Sequence, residues 1–207
     1  MIQLIIFDLG GVIQGLDWSP VVNSLIHLKK DLDINKYREA FYYKRKEYFD
    51  LYSVNQIEKR QFWGMVVDQL GIDRTYIDEL SQSFELIYSF VNVDLLDLIK
   101  SMRKEYQIVA LSNACPEIEN KVMKDGIYVH LFDKLYFSHN IGKKKPSQEA
   151  YLTVVEQQGI PPEGCLFIDN DMKNILGAEQ VGMNCILYKG MQYIKQEMSK
   201  KFNIKIS

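Results

Sequence analysis

Five short apolar runs, at residues 2–7, 107–111, 134–137, 165–168 and 184–188, limit what this chain can fold into. The first, second and fourth are nearly unbroken stretches of Ile, Leu, Val, Ala and Phe. Runs of that kind suit parallel strands buried on both faces, where no polar alternation is needed. Amphipathic stretches separate the last four runs: 92–105 precedes the second, 116–124 follows it, 147–158 follows the third and 173–181 follows the fourth. Strands and helices in alternation predict an α/β fold with a doubly wound parallel sheet.

The stretch from 16 to 90 differs, with no clear strand and apolar residues at helical spacing. One example is the predicted helix over 57–70, with Phe62, Met65, Val66 and Leu70 on one face and Gly71 as its C-cap. The expected division is therefore an α/β core of residues 1–15 and 91–207, with a helical cap of residues 16–90 inserted between the first two strands. The basic tail 190–207 reads as an amphipathic helix packed on the surface.

Composition excludes several roles. With 47% hydrophobic residues in 207, the chain has material for a core. A net charge of -2 gives no reason to expect a nucleic-acid partner. No apolar run approaches the roughly 20 residues needed to span a bilayer, so no membrane partner is expected. The first run lacks a basic flank and stops at Asp8, which reads as a buried strand and not a signal peptide. Cys115, Cys165 and Cys185 have no metal-ligand spacing and fit a reduced, cytoplasmic protein. Cys165 and Cys185 read as small buried hydrophobes. Cys115 would need an activating base to act as a nucleophile, and no motif supplies one.

Ligands of open parallel sheets bind at the carboxyl ends of the strands. The first run ends in Asp8, the second in Ser112-Asn113 and the fourth in Asp169-Asn170-Asp171; past the third lies Gly142-Lys143-Lys144-Lys145-Pro146. Singly, each has an ordinary explanation as a turn, a helix cap or a solvated charge run, which is how Lys143 and Lys144 are read. Together they place carboxylates, a hydroxyl, an amide and a lysine at one crevice. A carboxylate can attack phosphorus, but bringing an anion to an anion requires neutralisation. Mg²⁺ takes hard oxygen ligands, and a lysine ammonium is a compact counter-charge.

These motifs, in this order, resemble those of the haloacid dehalogenase (HAD) superfamily. Phe7-Asp8-Leu9-Gly10-Gly11-Val12-Ile13 resembles the first, Leu111-Ser112-Asn113 the second, and Gly142-Lys143-Lys144-Lys145-Pro146 the third. Leu166 to Asn174, followed by Gly177-Ala178 and Gly182-Met183, resembles the fourth. The resemblance implies a Rossmannoid core with a helical cap, and a Mg²⁺-dependent phosphatase acting on a small phosphorylated metabolite such as a sugar phosphate. It implies Asp8 as nucleophile, Ser112, Asn113 and Lys145 as catalytic partners, and Asp8, the Gly10 carbonyl, Asp169 and Asn170 as metal ligands. A monomer or weak homodimer is expected.

Two positions depart from the family pattern. Gly10 stands where its phosphatases usually carry a second Asp that serves as acid and base, a role worth about 10²- to 10⁴-fold. Asn170 stands where a second carboxylate is usual, with Asp171 one place further on. Asp17 or an acid of the cap is a candidate replacement acid. The same residues leave open a metal-free haloacid dehalogenase, or a protein that has lost catalysis and only binds or regulates. Trp18, Tyr42, Tyr43, Arg45 and Tyr48 are candidate pocket residues of the cap. Lys44, Arg45, Lys46, Lys59 and Arg60 read as a solvated basic face.

Overall fold

The computed structural model describes residues 1–31 and 45–204, with side chains in the second stretch from Glu47 onward. The expectations for Tyr42, Tyr43 and Lys44, and for the side chains of Arg45 and Lys46, fall outside the described residues, as do residues 205–207.

The strands are β1 (Leu4–Phe7), β2 (Gln14–Leu16), β3 (Tyr88–Val91), β4 (Gln107–Ser112), β5 (Lys134–Phe137), β6 (Cys165–Asp169) and β7 (Asn184–Leu187). Five of them form a parallel sheet in the order β5-β4-β1-β6-β7. This is the α/β architecture expected from the apolar runs. The central strand β1 is buried throughout because it is covered on both faces. Ile5 and Phe7 point into one apolar cluster that continues into the helices of residues 16–90. Leu4 and Ile6 point into another, with Tyr151, Val154, Phe167 and Ile175. Each such side chain stabilises the fold by roughly 1.5–3 kcal/mol on burial.

Helices α1 (Ser19–Leu28), α2 (Arg45–Tyr52), α3 (Lys59–Leu70) and α4 (Ile77–Glu85) lie between β2 and β3 in the chain. After β3 come α5 (Val93–Met102), α6 (Pro116–Asp125), the short α7 (Ser138–Ile141), α8 (Gln148–Gln158), α9 (Met172–Gln180) and α10 (Met191–Phe202). Gly71 ends α3 in the left-handed region at φ 63°, its N–H donating to the carbonyls of Val67 and Asp68, as its sequence position suggests. The C-terminal helix α10 buries Ile194 and Met198. Among the described residues, no helix is long and apolar enough to cross a membrane.

The 16–90 stretch is not wholly helical. β2 and β3 pair antiparallel, Gln14 opposite Val91 and Leu16 opposite Tyr88. Strands of 3 and 4 residues are too short to show an alternating pattern. They pair because the chain leaves and re-enters the core at one place.

The register sets the site. Phe7 pairs with Ala110 and Ile168, so Asp8 emerges beside the ends of β4 and β6. The Asp8 N–H donates to the Ile168 carbonyl at 2.9 Å, which fixes where its side chain starts.

Candidate active site

Four segments deliver polar side chains to the carboxyl edge of the sheet. Asp8 follows β1, Ser112 ends β4, Asp169 ends β6, and Lys145 comes from the loop between α7 and α8. All four are buried, Asp8 the least so at 7% exposed. The Lys145 Nζ donates to Asp8 Oδ1 and to Asp169 Oδ2, both at 2.7 Å.

Lys145 is held there by its backbone. Its N–H donates to Asn113 Oδ1 at 2.8 Å, and Asn113 Nδ2 donates to its carbonyl at 2.7 Å. The Asn113 amide thus positions Lys145 through both its oxygen and its nitrogen. The next residue, Pro146, packs against α9 at Gly177, where a Cβ would lie 2.4 Å from the Pro146 carbonyl oxygen. Only glycine permits that approach.

Asp169 is equally constrained. Its Oδ1 accepts from the Asp171 N–H at 2.7 Å, and its Oδ2 also accepts from Asn174 Nδ2 at 2.9 Å. Asp171 is the N-cap of α9, accepting from the Lys173 N–H at 2.9 Å. Asn170 is exposed and its amide lies over Gly11, whose φ of 83° and missing side chain make room for it; a Cβ there would be 2.3 Å from Asn170 Nδ2.

Burial, the strongest influence on Asp8, raises its pKa to about 6; Lys145 pulls it down and Asp169 pushes it up. At pH 7 it is mostly ionised. Burial lowers the Lys145 ammonium, but Asp8 and Asp169 outweigh it and hold it above the ordinary lysine value. One cation shared by two carboxylates is doubly stabilised, whereas each carboxylate has half a partner.

Above this floor opens a cavity of about 240 Å³, reached by Asp8, Gly10, Ser112, Asn113, Lys145 and Asn174, by Trp18 just before α1, and by Phe49 of α2 and Phe84 of α4. A model of the haloacid dehalogenase-like hydrolases matches residues 2–182. The chain belongs to this family.

Among its relatives, a D-ribitol-5-phosphate phosphatase of Bacteroides thetaiotaomicron is 26% identical, over 98% of this chain and 100% of that protein. A HAD-like family hydrolase of known structure from Porphyromonas gingivalis is 25% identical with a TM-score of 0.78, covering 99% of this chain and 100% of that one. A HAD family enzyme of Bacteroides thetaiotaomicron, solved with magnesium and inorganic phosphate, is 23% identical with a TM-score of 0.72, over 91% of this chain and 95% of that one.

As a HAD-like hydrolase, the chain gathers Asp8, Gly10, Ser112, Asn113 and Lys145 around one cavity, with Asp169 bonded beneath it to Lys145. It leaves Asn170 exposed at the rim. Asp17 faces solvent and accepts from the Ser19 N–H, so it serves a turn. Lys144, read from sequence as solvated, forms an ion pair with Asp50 of α2 and ties the Lys145 loop to that helix. Lys59 pairs with Asp78 at 3.2 Å on the surface, where such pairs contribute about 0–1 kcal/mol. Of the expected pocket aromatics, Trp18 lines the cavity and Tyr48 is exposed.

Three residues escape sequence reasoning. Tyr88 is buried in the cavity wall, and its hydroxyl would lie 3.1 Å from a Cβ on Gly10. Burial and then the Asp8 charge push its phenol up, and a hydrogen bond with Ser112 opposes them only in part, so it stays protonated. Its signal was Gly10 itself, a gap that some other side chain must fill. Glu117 is buried in the first turn of α6. It accepts from Tyr52 at 2.7 Å, Trp63 Nε1 at 2.9 Å and Ser81 at 2.8 Å, three donors from three different helices. His139, a loop residue by sequence, is buried in α7 between the Ala114 carbonyl at 2.8 Å and Glu119 at 2.7 Å. Cys115 is buried, and burial and Glu117 push its thiol far up, which leaves it a packed, protonated side chain.

Proposed function

We propose that this hydrolase is a Mg²⁺-dependent phosphomonoester phosphatase that works through a phosphorylated Asp8. The observation that carries the reading is Lys145 Nζ, buried and 2.7 Å from both Asp8 and Asp169 at the mouth of the parallel sheet. The magnesium and phosphate bound by the Bacteroides enzyme, and the ribitol-phosphate activity named for its relative, point the same way.

The donor set fits a hard cation. Asp8 and Asp169 offer carboxylate oxygens; a carboxylate has about four lone-pair sites, and Asp169 uses three. Among the described residues nothing donates to the Gly10 carbonyl. Among the described residues no group of three or more His, Cys, Asp or Glu is placed to hold a metal ion by itself. Asp8, the Gly10 carbonyl and Asp169 would hold Mg²⁺, with the Asn170 amide oxygen at the rim. When bound, it supplies neutralisation of phosphoryl charge.

The chain's own residues do the rest. The Asp8 carboxylate attacks phosphorus, and the ester P–O bond breaks toward the alcohol. Lys145, kept protonated by two carboxylates, presents its ammonium to the phosphoryl oxygens, and the Ser112 hydroxyl donates to them. Asn113 acts by fixing Lys145. The departing alkoxide takes its proton from water, while the Tyr88 hydroxyl, beside Gly10, would donate a hydrogen bond to it and keep its own proton. Water then hydrolyses the aspartyl phosphate and restores Asp8.

In this reading residues 1–15 and 91–207 are the catalytic core and residues 16–90 the cap. The partner is a small phosphorylated metabolite, with neither nucleic acid nor membrane involved, and the protein works in the cytoplasm as a monomer or weak homodimer. The test is turnover of 4-nitrophenyl phosphate with Mg²⁺ and with chelator. Turnover that requires Mg²⁺ and disappears in Asp8→Asn supports the reading; a folded protein with no turnover across a panel of phosphate esters sinks it.

A further inference from the structure

The phosphoryl-transfer steps use neither His139 nor Glu119, yet both act on the chain right beside the site. Ala114 follows Asn113 in the turn between β4 and α6, outside both elements. It is 1% exposed, so its peptide groups need hydrogen-bond partners. Two consecutive residues of α7 meet them. Ser138 Oγ accepts from the Ala114 N–H at 3.0 Å, and His139 Nδ1 lies 2.8 Å from the Ala114 carbonyl oxygen. A carbonyl only accepts, so Nδ1 is the donor. The Ser138 hydroxyl is 3.2 Å from the same oxygen, but its one proton has a shorter bond to the Ser53 carbonyl at 2.6 Å. On the other edge of the ring, Nε2 lies 2.7 Å from Glu119 Oε2 of α6. Asn140 Nδ2 donates to the two Glu119 oxygens at 3.0 and 2.9 Å and steadies that carboxylate.

The neighbouring residue holds Lys145. Asn113 accepts from the Lys145 N–H and donates to its carbonyl, at 2.8 and 2.7 Å. The segment from Ser138 to Lys145 therefore starts against Ala114 and ends against Asn113, pinned at both ends to adjacent residues. Lys145 Nζ in turn sits 2.7 Å from both Asp8 and Asp169. Such a placement has little tolerance, since a shift of about 1 Å can cost about 100-fold in rate. A ring gripped at both edges has one orientation, and it passes that constraint to the peptide it bonds.

We propose that His139, oriented by Glu119, is a positioning residue for Lys145: its ring fixes the Ala114 peptide, and through it the Asn113 clamp. The inference rests on the phosphatase reading. A histidine present only to pack beside Phe137, 6.0 Å away between ring centres, could be exchanged for an apolar side chain without disturbing Lys145.

Two substitutions on the full chain, with Mg²⁺ and 4-nitrophenyl phosphate, separate positioning from packing. His139→Leu fills the space without a donor, whereas His139→Asn keeps a nitrogen donor near the place of Nδ1. The expected kcat falls about tenfold or more in His139→Leu and stays within about threefold of wild type in His139→Asn, with both folded by circular dichroism. A wild-type kcat in His139→Leu, or equal losses in the two variants, overturns the inference while leaving the phosphatase reading intact. A second readout needs no turnover. In protein carrying lysine labelled with ¹³C at Cε, the Lys145 resonance, identified by its loss in Lys145→Arg, is expected to move in His139→Leu and to return toward its wild-type position in His139→Asn. An unmoved resonance overturns the inference, and this readout still decides if no phosphate ester is turned over, which is how the phosphatase reading would fail. If His139→Leu does not fold, Glu119→Ala at a half-buried position takes its place; it frees one edge of the ring and should move the same resonance, and an unmoved one again overturns the inference.

Discussion

Two buried carboxylates, Asp8 and Glu117, are held in opposite ways. Asp8 has a cation beside it, yet its pKa is raised to about 6, because burial comes first and Asp169 competes for the same Lys145. Glu117 has no such cation among its bonded partners, yet its pKa is lowered. Burial is again the largest influence and raises it, but donors from Trp63, Tyr52 and Ser81 together win. Three aimed neutral donors thus outweigh the burial of Glu117, whereas one cation shared with Asp169 does not outweigh that of Asp8. The arrangement suits each place. In the proposed mechanism Asp8 has to remain reactive, whereas Glu117 joins α6 to α2, α3 and α4.

The sharpest way to break this comparison is Asp8→Asn. It is expected to lower turnover by about 10⁴-fold or more while leaving the circular dichroism spectrum unchanged. A loss below tenfold would remove Asp8 as the nucleophile. Next comes Lys145→Met, which leaves Asp8 and Asp169 facing each other without a cation. A loss of about 3–5 kcal/mol is expected in urea unfolding, along with loss of activity. A neutral result would mean that the two carboxylates share a proton instead.

Glu117→Gln keeps the shape and removes the charge. It is expected to cost about 2 kcal/mol, the difference between charged and neutral acceptors over several bonds. The two acids also give opposite pH slopes. Glu117, lowered in the folded state, stabilises the protein above its ordinary value of 4.5, and that stability is lost as the pH falls through its folded value. Asp8, raised, favours the folded state below its ordinary value of 3.8, and that contribution is lost as the pH rises through about 6. Unfolding free energy measured in chelator from pH 3 to 8 should therefore lose a rising limb in Glu117→Gln and a falling limb in Asp8→Asn. Matching slopes in the two variants would contradict the contrast.

The smallest expected effect sharpens the roles around Gly10. Tyr88→Phe should slow alkyl phosphates by about tenfold and 4-nitrophenyl phosphate much less, because a hydrogen bond to the departing oxygen matters most when the alcohol leaves poorly. Equal slowing of both would make Tyr88 a packing residue only.

The site floor was legible in the sequence. Asp8, Ser112 and Asp169 each sit at the end of a short apolar run, and strands of known direction bring their ends to one edge. Lys145 was legible only through its motif, since nothing in a run of three lysines says which is buried. The structure decides it through the Asn113 clamp and the glycine at 177, and sends Lys144 to Asp50 instead.

Glu117 was not legible. It lies in the first turn of a helix behind a proline, where an acid normally faces solvent and favours the helix dipole. Its partners are 36, 54 and 65 residues away, and none of the three has a local signal. Tyr88 was equally hidden, because its role depends on a glycine 78 positions earlier and on a strand too short to announce itself.

The sequence by itself determined the sheet, its direction and the residues at its carboxyl edge, because burial on both faces and strand-end position are written within five or six residues. Only the tertiary structure decided which lysine enters the site, what fills the space beside Gly10 and how the inserted helices are anchored. Those outcomes depend on distances between segments far apart in the chain, and local patterns carry no record of them.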